Sequence, residues 1–278
     1  MSKTRVTTPL FSLPVEIAEL SKAHGFVPTE ELPGGHCSRI LADATRVLKL
    51  PFQGEELTWG LLAARKLEAI GGPKIFAVSE DPAAVLMERI WPGTPLSESD
   101  LSDAERLETY LEIRNRMPSV DPTAGMPLED YLASPEQRAT QPEWRRTLTR
   151  TLLATTEREE FLHGDLHHAN ILFDGKEWRP LDPKGLIGDP HYEPIAFLRN
   201  PCDQLAKIAD LVGFTRDRIK AICDATGFSP WRLAAWGRLD QADEGDYDSD
   251  DPWSRLPHVF ATLEEELRPE GLKDRSST

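Results

Sequence analysis

Apolar positions within residues 14–25 fall at Val15, Ile17, Ala18 and Leu20, with Pro14 near the start and Gly25 just past the end. That spacing predicts a short amphipathic helix with the usual terminal asymmetry. Gly34-Gly35 and Asp43-Ala44 then read as turns of a meander, and Val47-Leu48-Lys49-Leu50 reads as a strand. Over residues 54–71, Leu57, Leu61 and Ala64, and less regularly Leu67 and Ile70, predict a second helix stopped by Gly71. Two further strands are expected at Ile75–Val78 and Ala84–Trp91, the second ending at Pro92-Gly93. Beyond Gly93 the spacing turns helical. Leu107, Tyr110, Leu111 and Ile113 share one side of the segment that starts at Ser99, and Leu148, Leu152 and Leu153 repeat the pattern. Residues 202–214, 216–226 and 252–267 predict three more helices, and Trp231, Trp236 and Trp253 read as core or cleft lining. The order predicts an α+β chain of two lobes: a small β-rich lobe over residues 1–91 and a larger, mainly helical lobe over residues 92–278.

Composition narrows the partners. The 278 residues carry 32 Lys and Arg against 47 Asp and Glu, a formal charge of −15. Such a surface disfavours nucleic acid and anionic membrane and attracts cations. The acidic run at 240–251 has two readings: a solvated loop, or carboxylates such as Asp243, Glu244 and Asp246 that meet a cationic substrate. Cys37, Cys202 and Cys223 show no C-x-x-C spacing, which argues against a disulfide framework and for a reducing compartment. No apolar stretch approaches the roughly 20 residues of a membrane span. The expectation is a cytoplasmic protein, a monomer or weak dimer.

The chemistry concentrates in His163-Gly-Asp-Leu-His-His-Ala-Asn170-Ile-Leu-Phe173 and, after a turn at Asp174-Gly175, in Trp178-Arg-Pro-Leu-Asp182-Pro-Lys-Gly185. A polar loop, a strand, a turn and a second strand bring an aspartate, an asparagine and another aspartate into one region. Asp165 suits acceptance of a proton from an attacking alcohol, and Asn170 and Asp182 supply oxygens for Mg²⁺. The spacing H-x-D-x-x-x-x-N is that of a kinase catalytic loop, and Asp182 lies 12 positions past Asn170 (182 − 170). A zinc reading of His163, His167 and His168 conflicts with Gly164 and the strand-like Ile171-Leu172-Phe173, because the histidines would need a helix to share a face.

H-G-D-L-H-H-A-N-I-L-F followed by L-D-P-K-G-L-I-G-D-P resembles the aminoglycoside phosphotransferases, within them most the streptomycin 6-kinase and hydroxyurea-resistance branch. The resemblance is dense over residues 163–190 and thin elsewhere. It implies a two-lobed protein-kinase-like fold, ATP or GTP with Mg²⁺, and a small cationic acceptor. It also implies roles. Asp165 is the base, His167 donates to the γ-phosphate, and His163 braces the loop. Lys49 holds the α- and β-phosphates, although a strand lysine on the solvent face of an edge strand has the same local pattern. Glu56 is its ion-pair partner, with Glu55 as the alternative. Glu88, Arg89 and Ile90 line the base pocket, chiefly through backbone atoms. No G-x-G-x-x-G covers the phosphates; Gly34-Gly35-His36-Cys37-Ser38 is the candidate in its place. With no A-P-E segment after Asp182 to seat a peptide, the expected acceptor is a small molecule, streptomycin-like by resemblance. Another hydroxyl compound (a sugar, a choline-like metabolite or hydroxyurea) is the alternative, as is a nucleotide-binding module without turnover.

Overall fold

The computed structural model describes residues 13–33, 38–51, 59–241 and 253–273. Helix α1 (Val15–Ala23) leads into β1 (Glu30–Leu32), β2 (Ser38–Ala42) and β3 (Arg46–Pro51), and helix α2 (Trp59–Leu67) precedes β4 (Ile75–Glu80) and β5 (Ala83–Glu88). The five strands form one antiparallel sheet in the order β1-β2-β3-β5-β4. Strand alternation gives the sheet two apolar faces. Leu41, Leu48 and Leu86 pack with Ile17 of α1, while Val47, Val85 and Met87 pack with Leu61 and Ala64 of α2. Lys49 shares the second face with Val47, and β3 is an inner strand, so the solvent-face reading of this lysine is excluded. A turn of 3₁₀ helix, Glu68–Ile70, continues α2 and closes on Gly71 in the left-handed region (φ 93°), the stop expected there.

The helical lobe opens with β6 (Thr94–Pro95) and α3 (Asp103–Arg114), the helix started by a capping box in which Ser102 and Glu105 satisfy each other's backbone amides. It continues through β7 (Met126–Pro127), α4 (Leu128–Leu132), α5 (Pro135–Thr140), α6 (Glu143–Ala154) and β8 (Glu160–Leu162) to the hairpin β9 (Ile171–Phe173) and β10 (Trp178–Pro180). After β11 (Leu186–Gly188) come α7 (Ile195–Leu198), α8 (Cys202–Leu205), α9 (Leu211–Thr226), α10 (Pro230–Asp240), α11 (Leu256–Glu266) and α12 (Glu270–Lys273). The strands here make two three-stranded ribbons, β10-β9-β6 and β7-β11-β8.

Two helix expectations are corrected. Residues 202–214 and 216–226 are not two long helices. Cys202–Leu205 is a single turn, and α9 then runs unbroken over 16 residues, with Asp210 accepting from the Gly213 amide at its start. Gly213 thus sits in a first turn and stops nothing. Helix α10 was not expected at all. It buries Trp231, Leu233, Ala234, Ala235, Trp236 and Leu239, so it has no polar stripe against which an amphipathic period could show.

Arg179 on β10 joins the lobes. It donates to the carbonyls of Gly71 (2.9 Å) and Gly72 (2.8 Å) and to Glu88 Oε2 (3.0 Å), tying the hairpin to the end of α2 and to β5. Arg179→Ala strips the Gly71 and Gly72 carbonyls of this donor, leaves Glu88 with the Lys74 amide, and should cost on the order of 2 kcal/mol. A urea titration checks this, and an unchanged midpoint would contradict the clamp.

Candidate active site

The hairpin explains why a spacing of 12 residues makes a site. Strands β9 and β10 pair with Ile171 opposite Pro180, and the Leu181 amide donates to the Asn170 carbonyl (2.9 Å), so Asn170 and Asp182 stand side by side. His163 locks the loop to the hairpin's far end. It is fully buried, its Nδ1 accepts from the Asp165 amide (3.3 Å), and its Nε2 meets the Leu181 carbonyl (2.9 Å). Only the tautomer protonated at Nε2 satisfies both contacts. Burial pushes His163 down to about 3, which keeps it neutral and preserves that tautomer. Gly164 turns at φ +78°, and a Cβ there would lie 2.7 Å from Leu186 Cδ1, so the residue before Asp165 must be glycine.

Asp165 is mostly buried. Burial raises its carboxyl, while His167, Arg199 and Lys184 pull against that rise. His167 Nδ1 accepts from the Ala169 amide (3.2 Å), so Nε2 carries the proton, 3.9 Å from Asp165 Oδ1. Desolvation holds the ring neutral, against the Asp165 charge. Asn170 Nδ2 donates to the Asp165 carbonyl (2.9 Å), which fixes the amide and leaves its oxygen for a cation. Asp182 adopts φ +66°, a left-handed conformation uncommon outside glycine, and its carboxylate is ion-paired with Lys49 of β3. These contacts bring together Lys49, Asp165, His167, Asn170 and Asp182. An amide oxygen and a carboxylate fit Mg²⁺, which keeps several waters and takes phosphate oxygens for its other ligands. Among the described residues no group of three His, Cys, Asp or Glu is placed to hold a metal ion. His168 is instead enclosed and stacked on Phe197, with ring centroids 4.1 Å apart.

Other expected positions lie elsewhere in the sheet lobe or outside the described residues. Ser38 begins β2, opposite Pro51 at the end of β3. Glu88 closes β5 with its carboxylate on Arg179 and on the Lys74 amide (3.1 Å), leaving only its backbone for any base contact, and Ile90 is buried just beyond. Glu55 and Glu56, the Gly34–Cys37 turn and the acids Asp243, Glu244 and Asp246 lie outside the described residues.

Sequence reasoning missed the supports behind the loop. Glu193 is buried and accepts from the Gly164 amide (3.1 Å). Its signal was an acid followed by the apolar run Ile195–Leu198. Burial pushes Glu193 up to about 8, against the opposing Gly164 amide and the Arg114 charge. The folded chain therefore holds a proton that the unfolded chain has released above its ordinary value of 4.5, and stability drawn from it falls as pH rises from 4.5 to about 8. Glu193→Gln keeps an oxygen for Gly164 but cannot ionise. It should melt a few degrees above the unaltered protein at pH 8 and converge with it toward pH 4.5; parallel curves across that range would refute this. Asp189, also buried, collects His191 Nδ1 (2.7 Å), Arg232 Nε (3.1 Å) and Trp236 Nε1 (2.8 Å). Although burial opposes it, these donors hold the Asp189 carboxyl far below the usual range, and they fasten the end of β11 to α10.

A β-sheet lobe with a lysine reaching across a cleft, and a helical lobe offering base, asparagine and aspartate on a loop and hairpin, define a kinase-like phosphotransferase. The family model for aminoglycoside/hydroxyurea antibiotic resistance kinases matches residues 27–242, well over half of the 278. The chain belongs to that family, and it is a phosphotransferase with an alcohol group as acceptor. It is 26% identical over 280 residues to the streptomycin 6-kinase of Streptomyces glaucescens, covering 92% of this chain and 90% of that one. It is 27% identical over 235 residues to the hydroxyurea phosphotransferase of Kitasatospora aureofaciens, covering 75% and 69%. The fold is shared with the streptomycin–ATP complex of aminoglycoside phosphotransferase APH(2″)-IIa: TM-score 0.54, 15% identity, 93% and 97% of the chains covered. No helix among the described residues is long and apolar enough to cross a membrane.

Proposed function

We propose that this chain transfers the γ-phosphoryl group of ATP to a hydroxyl of a streptomycin-type aminoglycoside in the cytoplasm. The observation that carries the reading is the chain of contacts that joins Lys49 to Asp182, the residue before Asp182 to Asn170, and Asn170 to Asp165. The transfer passes through a loose transition state that needs alignment and charge neutralisation rather than covalent help. Lys49 leaves Asp182 for the α- and β-phosphates when nucleotide enters, and Ser38 and the backbone of Glu88 and Ile90 bound the nucleotide's end of the cleft. Asn170 and Asp182 would hold Mg²⁺, which would supply neutralisation of phosphate charge. Asp165 orients the acceptor hydroxyl and takes its proton. His167, with Nε2–H facing the same space, donates to the γ-phosphoryl oxygens. The two lobes divide at Trp91-Pro92. Support for the acceptor comes from the streptomycin kinases among the relatives and from the formal charge of −15, which suits a polycation.

The hydroxyurea phosphotransferase relative supports a second acceptor, and one assay separates the two. Mg·ATP consumption is measured with streptomycin, other aminoglycosides, hydroxyurea, choline and simple sugars. Turnover with streptomycin above the hydrolysis blank is expected. Turnover with hydroxyurea or choline alone would replace the acceptor, and binding of ATP without turnover on any compound would reduce the chain to a nucleotide-binding protein.

A further inference from the structure

Arg199 belongs to none of the motifs above, yet it touches the base. It follows α7 with its side chain 23% exposed, and its Nη2 lies 3.5 Å from Asp165 Oδ1. Its Nε lies 3.5 Å from Asp240 Oδ2 at the end of α10, and Asp240 Oδ1 accepts from Tyr192 Oη (2.7 Å). The guanidinium also sits 5.6 Å from the centre of the Trp253 ring. Both carboxylate contacts are longer than the roughly 2.7–2.9 Å of a closed charge-assisted hydrogen bond. Arg199 Nε, although buried, makes no hydrogen bond. The cation is thus suspended between two carboxylates without closing on either. It also lines a polar cavity of about 200 Å³ together with Tyr131, Arg145, Tyr192 and Asp240. Asp165 does not line that cavity, so Arg199 is the residue common to the cavity and the base.

We infer that Arg199 is a positioning residue for phosphoryl transfer: it steers the Asp165 carboxylate toward the acceptor hydroxyl and, through Asp240, links that orientation to the cavity in which part of the acceptor lodges. The inference rests on the kinase reading above. A guanidinium suits the task because its rigid planar fork of five donors can address two carboxylates at once in a fixed geometry. A structural anchor for Tyr192 alone would not need to reach Asp165, and a catalytic cation for the phosphates would face Lys49 and Asp182 rather than Asp240.

The test compares the unaltered enzyme with Arg199→Ala, Arg199→Lys, Asp240→Asn and the Arg199→Ala/Asp240→Asn pair, using Asp165→Asn as the reference for a lost base. Misplacement of a reacting group by about 1 Å costs on the order of 10²-fold. Arg199→Ala should therefore lower kcat by about 10- to 10²-fold with the KM for ATP unchanged. Arg199→Lys should recover part of that loss, and added guanidinium ion should restore rate to Arg199→Ala but not to Asp165→Asn. Asp240→Asn should cost less, and the pair should be no slower than Arg199→Ala, because the link is already broken. Unimpaired kcat in Arg199→Ala, additive losses in the pair, or a fall in kcat matched by weaker ATP binding and a lower melting temperature would each overturn the inference. If Arg199→Ala does not fold, Arg199→Lys and Asp240→Asn carry the same comparison. Should the unaltered protein phosphorylate nothing and match Asp165→Asn, the kinase reading fails and takes the inference with it. An active protein with a dead Asp165→Asn and a normal Arg199→Ala fails the inference alone.

Discussion

An Asp165→Asn protein is expected to bind ATP as the unaltered chain does and to turn over more slowly by on the order of 10²-fold or more. The selectivity of that loss follows from the surroundings. Asparagine has nearly the same shape, the Asp165 amide still meets His163 Nδ1, and the Asp165 carbonyl still receives Asn170 Nδ2. The loop is held by backbone contacts that the substitution does not touch. What disappears is a carboxylate facing His167, Arg199 and Lys184, the one group in this position able to take a proton from an alcohol. Initial rates with a saturating acceptor, alongside the KM for ATP and a thermal melt, give the answer. A variant as fast as the unaltered enzyme would remove Asp165 from the mechanism.

Asp182→Asn and Lys49→Met should each reduce kcat by on the order of 10²- to 10³-fold, the scale for losing one electrostatic support of a transition state. They should fail differently, however. Lys49 and Asp182 are ion-paired with each other, and the proposed binding of nucleotide would separate them. Lys49→Met should weaken ATP binding whether or not Mg²⁺ is present. Asp182→Asn should leave metal-free binding intact and remove the strengthening that Mg²⁺ brings. Isothermal titration with and without Mg²⁺ separates the two, and identical metal dependence in both variants would take Asp182 out of the metal site.

The catalytic loop was legible because its chemistry is contiguous: Asp165, Asn170 and Asp182 are joined by a hairpin whose turn, Asp174-Gly175, is written in the chain. Lys49 was legible as a strand residue but not as to its face. That is decided by β3 being an inner strand, and strand order is a property of the whole sheet. Helices with one buried stripe showed themselves, as α3 did through Leu107, Tyr110 and Ile113. Helix α10 did not, since burial on every side erases the period. Arg199 and Glu193 stayed hidden for another reason, and Asp240 was read only as part of the acidic run at 240–251. Their partners lie far along the chain, Arg199 from Asp165 by 34 positions (199 − 165), and a charge whose counterpart is distant looks like any surface charge.

Arg179 secures the hairpin that carries Asp182 to the sheet, whereas Arg199 and Asp240 hang from the helices around α7 and α10. The seat for the phosphate donor and the wall facing the alcohol are thus carried by separate supports. Substitutions accumulating in the helical wall can redraw which compound is modified without loosening the donor's seat.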